Sequence, residues 1–380
     1  MLPLLWLFIR YPMPSWLRDP LFLTCTGLIV WLSLNSILVS NAHWPAKLDQ
    51  LRWGAEVWLF IAGLMVTVPI WLTRPKMYGL LFSSLILLAV VVALLPYVYV
   101  GDYNSRLIGR GFLSHPIQGA SVLLVYWGIA FFLLGFERSL SRLELVVLIT
   151  AGIGVLVFAI LSQSRGPMLA TALILPCFFL SYLWHRHSAS WRLILISLSA
   201  VVLVLSLLWA LSPEVFTSWL HANMAARGLS YRPEIWSSTL AHWQTFALWG
   251  TGNATSFVNT APGAELLATL GIEFDHTHNI FLQFWLIGGG AALLLFVFIL
   301  ATMTIKLLHR EHTMRHGLSA LGLLLIMVLS NLTDTARPLA SPTADWVLLW
   351  LPILMVVEAL RKSSERSTSR DPLNKVATAR

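Results

Sequence analysis

The sequence predicts an all-α, polytopic integral membrane protein. Three observations carry that expectation. Charged residues make up 11% of the chain and hydrophobic residues 57%, against roughly 25% and 45–50% in a soluble domain. Apolar runs long enough to cross a bilayer, which takes ~20 helical residues, recur from Leu21 to Leu360. One long stretch, 212–275, breaks that rhythm and is rich in Trp, Ser, Thr, Gly and Asn.

Taken in order, the apolar runs place spans at 21–40, 55–72, 77–96, 118–136, 145–161, 168–184, 192–211, 279–305, 317–331 and 343–360. With room for one or two more, the chain holds about 10–12 transmembrane helices. It divides into N-terminal helices (1–211), an outer loop (212–278), C-terminal helices (279–362) and a polar tail (363–380) expected to be disordered. Within the loop, Pro213–Leu220 and Pro233–Trp249 have helical character, with aromatics suited to the membrane interface. The opening run Met1–Ile9 ends at Arg10 without a small-residue cleavage site, so no cleavable signal peptide is expected.

Cys25 and Cys177 both lie in apolar runs and read as small core residues, neither a disulfide framework nor a metal site. The net charge of +8 is spread over loops and tail. A nucleic-acid partner would call for a basic stripe, and none is visible. Lys and Arg favour the cytoplasmic side of short loops. Arg18, Arg74, Lys76, Arg142, Arg310 and the tail then face inward together with both termini.

Ionisable groups near membrane depth are costly and mark functional sites by default. Arg165 follows Ser162-Gln163-Ser164 where one span ends and the next begins, and Pro167 suits a first helical turn. Exposed amides beside a guanidinium suit a phosphate-like anion; the plainer reading is an arginine snorkelling to the interface. Arg227 and Arg232 flank a turn before a helix, as an anion site or as a solvated loop. Asp275-His276-Thr277-His278-Asn279 precedes a long apolar helix containing Gly288-Gly289-Gly290. Two histidines at i and i+2 raise the question of a metal. No Cys or carboxylate cluster at ligand spacing completes such a site, so no metal is expected. A histidine serves equally as a general base near neutral pH, or as an interfacial residue capping a helix with Asn279. Asp334 and Arg337 stand at i, i+3 and pair with each other on the simplest reading. All these groups fall on the outer face, as does the loop 97–117 with Asp102, Arg106, Arg110 and His115.

Taken together, these residues resemble the O-antigen ligase and polymerase family of membrane glycosyltransferases. The resemblance rests on Arg165 followed by Leu169 (an R-x3-L pattern) and on His278 followed by Gly289 (an H-x10-G pattern). Arg232-Pro-Glu-Ile-Trp236, Leu248-Trp-Gly-Thr-Gly252 and the long outer loop add to it. It covers residues 118–345; earlier spans contribute only hydropathy. It implies a GT-C-like helical fold in the bacterial inner membrane, a periplasmic active site and no cofactor. It further implies a glycan donor on undecaprenyl pyrophosphate, passed by a ligase to the lipid A–core oligosaccharide. A polymerase would pass it to a second lipid-linked repeat. The implied roles are Arg165 and Arg232 on the pyrophosphate and His278 as base. Asp334, Arg227, His276 and Asn279 are candidate supporting residues. A protein O-glycan transferase is a third reading. A transporter is a different class, disfavoured because the polar set lies at one face and no paired halves are apparent. Reporter fusions test the orientation: a phosphatase fused after Arg380 is expected to be inactive, and a cytoplasmic fluorescent reporter there to be active.

Overall fold

The structure is a computed structural model that describes residues 14–101, 106–135, 140–171, 174, 231–309, 314–332, 334 and 337–368. The expected span 192–211, most of 168–184, Pro213–Leu220, Arg227, Cys177 and the end of the tail lie outside those residues. Among the described residues, the helices numbered in chain order are α1 (Pro20–Val39), α2 (Trp44–Thr73), α3 (Pro75–Val100), α4 (Pro116–Gly135), α5 (Arg142–Leu161), α6 (Arg232–Ala241), α7 (Ala261–Leu270), α8 (Ile280–Leu308), α9 (Met314–Leu332) and α10 (Leu351–Thr368). No strand occurs among the described residues. Six of the helices (α1 to α5 and α8) are long and apolar enough to cross a membrane, and Gly317–Leu332 forms a shorter apolar helix. The chain is a polytopic all-α membrane protein.

Local chemistry sets the helix ends. Asp19 caps α1, accepting from the backbone N–H of Leu21 at 2.9 Å and Phe22 at 3.1 Å. Ser141 and Glu144 form a reciprocal capping box at the start of α5. Gly101, with φ 69°, closes α3. The second span starts eleven residues earlier than the apolar run indicates. Its polar first turns remain helical, and Arg52 reaches Asp49 at 3.2 Å and Glu56 at 3.7 Å along the helix. In the loop expected over 212–278, the expected helix Pro233–Trp249 stops at Ala241, and a 3-10 turn, Trp243–Thr245, redirects the chain.

α4 is the central post, 83% buried over its apolar stretch against 28–44% for the other spans. It touches α3, α5 and α9. Lipid offers no hydrophobic drive between helices, so close contact needs small residues and hydrogen bonds. A Cβ on Gly128 would sit 2.5 Å from Ile326 Cδ1, and one on Gly79 of α3 would sit 2.6 Å from Leu134 Cγ. The Trp127 indole donates to the Leu148 carbonyl of α5 at 2.9 Å.

α8 is broken. Gly289 has φ 67° and ψ −168°, a region open essentially to glycine alone. The break frees backbone groups that lipid would leave unbonded. Segment 247–252 supplies the partners. The Leu286 carbonyl accepts from Thr251 N–H at 2.7 Å, the Ile287 carbonyl from Gly252 N–H at 2.9 Å, and Gly290 N–H donates to Ala247 O at 2.8 Å. The Gly288 carbonyl accepts from the Trp31 indole of α1 at 2.8 Å. Asn253 then pins the loop. Its N–H donates to Ser36 Oγ at 2.9 Å, and its amide group to Gln50 Oε1 at 2.6 Å and Leu339 O at 2.8 Å. A Cβ on Gly289 would overlap the Leu248 carbonyl. Gly289→Ala is therefore expected to destabilise the protein by ~3 kcal/mol or more. The check is a lowered thermal midpoint and reduced yield of detergent-soluble protein.

Candidate active site

Three chain segments meet at one end of the helix bundle, and each contains a strained residue. Among the described residues only Gln163, Tyr231 and His278 are non-glycines with positive φ, at 54°, 57° and 53°. Such residues persist only where surrounding structure fixes them, and they cluster at functional sites.

The first segment closes α5. The Ser162 hydroxyl donates to Ser164 Oγ at 2.8 Å, and Ser164 Oγ donates to the Pro116 carbonyl at 3.0 Å. Arg106 Nε donates to the Ser162 carbonyl at 2.9 Å, and Leu107 N–H to Leu161 O at 3.0 Å. These bonds hold a tight turn from which a new helical run, 165–171, begins at Arg165. Arg165 is only half-buried. Pro167 costs nothing in the first turn, where its missing N–H has no intrahelical partner.

The second segment is the entry to α6. Tyr231 turns the chain so that Arg232 opens the helix, with Pro233 beside it. The Trp236 indole then donates to the Thr277 carbonyl at 3.0 Å, tying α6 to the histidine segment.

The third segment, 275–279, is the most constrained. Asn279 caps α8, accepting from Phe281 N–H at 3.0 Å and Leu282 N–H at 3.3 Å. Gln283 Oε1 takes both the Thr277 N–H and the Thr277 hydroxyl at 3.1 Å. His278 N–H donates to His276 Nδ1 at 3.2 Å, and the two rings lie 4.0 Å apart. The His278 Nδ1 lies 3.2 Å from Asp334 Oδ1, across 56 residues of sequence.

Asp334 thus pairs with His278. The i, i+3 pair with Arg337 does not form: Arg337 is exposed, and its backbone N–H donates to Asp345 Oδ2 at 3.1 Å. Trp350 and Trp346 fasten this stretch through the Pro338 and Ala340 carbonyls, each at 3.1 Å. The loop is held by its backbone, which leaves the Asp334 carboxylate for the histidine.

Electrostatics joins the segments. Burial lowers the Arg232 guanidinium; Asp334 opposes that shift and the Arg165 charge adds to it. Burial raises the Asp334 carboxyl, yet the His278 bond and the charges of His276, His278 and His115 bring it below its ordinary value. Asp334 is therefore a carboxylate at neutral pH. A carboxylate can only accept from His278 Nδ1–H, and in a neutral ring that tautomer has its lone pair on Nε2. Arg165, Arg232, His276, His278, Asn279 and Asp334 all belong to this end. Sequence alone missed what Gln283, Trp236 and His115 do here: Gln283 and Trp236 bond Thr277, and His115 acts on Asp334 through space, contacts that no spacing in the chain announces.

Folding also brings a carboxylate to the two histidines, which their spacing in sequence does not show. Donor atoms of His276, His278 and Asp334 lie within 4.8 Å of one another. Bonds to zinc of ~2.0–2.2 Å would require the more widely spaced of these atoms to draw together.

His276 gives a stability signature. Burial first, then His278 and Arg337, lower its pKa from 6.5 to about 4, against the pull of Asp334 and Asp275. Between those values the unfolded chain binds more protons, so stability rises with pH. Stability is expected to fall as pH drops from 6.5 to about 4. His276→Asn should flatten that slope in thermal unfolding of the detergent-solubilised protein.

Residues 149–297, which include Arg165, Arg232 and His278, match the O-antigen ligase family. The chain is also 27% identical over 266 residues to a protein named O-antigen ligase from Pseudomonas aeruginosa. That match covers 68% of this chain and spans 58% of the relative's length. By these matches, and by the residues that first pointed there, the chain is similar to the O-antigen ligases, a class of membrane glycosyltransferases.

Proposed function

We propose that this protein is an O-antigen ligase. It moves a glycan from undecaprenyl pyrophosphate to the lipid A–core oligosaccharide at the periplasmic face of the inner membrane. The observation that carries the reading is the meeting of two guanidiniums with a carboxylate–histidine pair at one end of the bundle. The opposite end carries Arg18, Arg74, Lys76, Arg142, Arg361 and Lys362, which supports placing the site outside.

The chemistry follows from the charges. His278 Nε2 takes the proton of an acceptor hydroxyl, and Asp334 holds the ring and stabilises the imidazolium that forms. The oxygen attacks the anomeric carbon from the face opposite the leaving group, inverting it. The bond from that carbon to the pyrophosphate oxygen breaks, and undecaprenyl pyrophosphate departs. Arg165 and Arg232 hold the diphosphate, whose charge grows as that bond breaks; guanidinium matches phosphate in two-point contacts. The step needs no metal on this account. Arg232 is half-buried, which strengthens its pull on an anion relative to the same charge in water.

Ligation and polymerisation differ only in the acceptor. The name of the relative favours ligation. Deleting the gene from its host separates them. Loss of every O-antigen band with lipid-linked polymer retained marks a ligase; a core bearing one repeat marks a polymerase.

The direct test is transfer from a defined undecaprenyl-pyrophosphate glycan to purified rough lipopolysaccharide, with chelator present. Arg165→Ala and Arg232→Ala are each expected to lower kcat/KM by about 100-fold or more. His278→Ala should do at least as much, and Asp334→Asn should lower kcat on the order of 100-fold. Full activity in a well-inserted His278→Ala protein would remove the base.

A further inference from the structure

His276 sits beside the proposed base and has no part in the transfer step above. Its geometry is specific. The Nδ1 atom accepts the backbone N–H of His278, two residues on, at 3.2 Å. Asn and Asp side chains bridge to the backbone in the same way in Asx turns, which tolerate the left-handed region. His278 lies in that region, with φ 53°. An acceptor at Nδ1 must carry its proton on Nε2. The ring is thus a neutral imidazole of fixed tautomer, 4.0 Å from the ring of His278.

We infer that His276 is a positioning residue: its neutral imidazole holds the His278 backbone in the left-handed conformation that aims Nδ1 at Asp334 and presents Nε2 to the acceptor. The inference rests on the ligase reading for its activity arm and on hydrogen bonding alone for its structural arm. Thr277, between the two histidines, is fixed on its other side by Gln283 and through its carbonyl by the Trp236 indole, while the His276 ring bonds the His278 N–H itself. Protonating His276 would put a proton on Nδ1 and remove the acceptor that the His278 N–H uses. Burial, His278 and Arg337 oppose that protonation, while Asp334 and Asp275 favour it, and the balance holds the pKa near 4.

The same bookkeeping weighs against a metal at His276, His278 and Asp334. To bind a cation through Nε2, His276 would have to move its proton to Nδ1, where it would meet the His278 N–H.

The test compares wild type, His276→Ala and His276→Asn as full-length protein in detergent. Transfer is measured against pH, with donor and acceptor varied separately. His276→Ala is expected to lower kcat on the order of 10- to 100-fold, the scale of a misplaced catalytic group, with donor KM unchanged. His276→Asn should restore kcat to within a few-fold of wild type, since its side-chain oxygen closes the same turn. In the structural arm, nitrogen NMR of 15N-histidine-labelled protein at neutral pH should show His276 Nδ1 unprotonated. An alanine variant as fast as wild type overturns the inference. So does an asparagine variant as slow as alanine, transfer that depends on added zinc, or a protonated Nδ1. If wild type transfers no glycan to any acceptor, the ligase reading fails, and the NMR result still decides the role of His276 in the turn.

Discussion

Lipid gives an unbonded backbone group nowhere to go, and the architecture depends on how this chain meets that demand at the break in α8. A helix interrupted at Gly289 leaves the Leu286 and Ile287 carbonyls without their usual donors. Segment 247–252 answers with N–H groups of its own, and Gly290 returns a bond to Ala247. The loop is thereby locked into the membrane helix that carries His278 at its start. Asn253 ties the same loop to α1, α2 and the stretch after Asp334. Position of the site is thus inherited from backbone hydrogen bonds formed eight or more residues away from His278.

That arrangement accounts for what was legible in the sequence. The spans were readable because length and apolarity are local properties, and α1, α3, α4 and α5 fall close to their expected bounds. The start of α2 was hidden because its first turns are polar and helical at once. The end of α6 was hidden because a long-range docking event, the capture of 247–252 by α8, decides where the chain must turn. Arg165, Arg232 and His278 stood out as polar groups at span ends. Asp334 was visible as a residue, yet its partner was misjudged. Spacing favoured Arg337 three residues on, and only the fold brings His278 within 3.2 Å. His276 was visible as a candidate metal ligand, and its hydrogen bond to a backbone N–H has no sequence signature at all.

The strained residues tell a consistent story. One non-glycine in the left-handed region precedes Arg165 by two positions, one precedes Arg232 directly, and the third is His278 itself. Each holds its neighbour at an angle that an unstrained backbone would not take. Strain of about 1–3 kcal/mol per residue is sustainable here because serine, tryptophan and glutamine side chains bond the same turns. Chemical readiness in this site comes from rigid turns around a few charges, and those turns owe their shape to the packing beneath them.

The Asp334–His278 bond also has an order in time. His278 emerges at the head of α8, and its carboxylate arrives only after α9 has been made. Under the transfer reading, a ribosome-bound chain that has delivered α8 possesses the imidazole but lacks the group that fixes its tautomer. On that reading, competence for proton abstraction waits on the segment after α9, which Trp350 and Trp346 fasten through the Pro338 and Ala340 carbonyls.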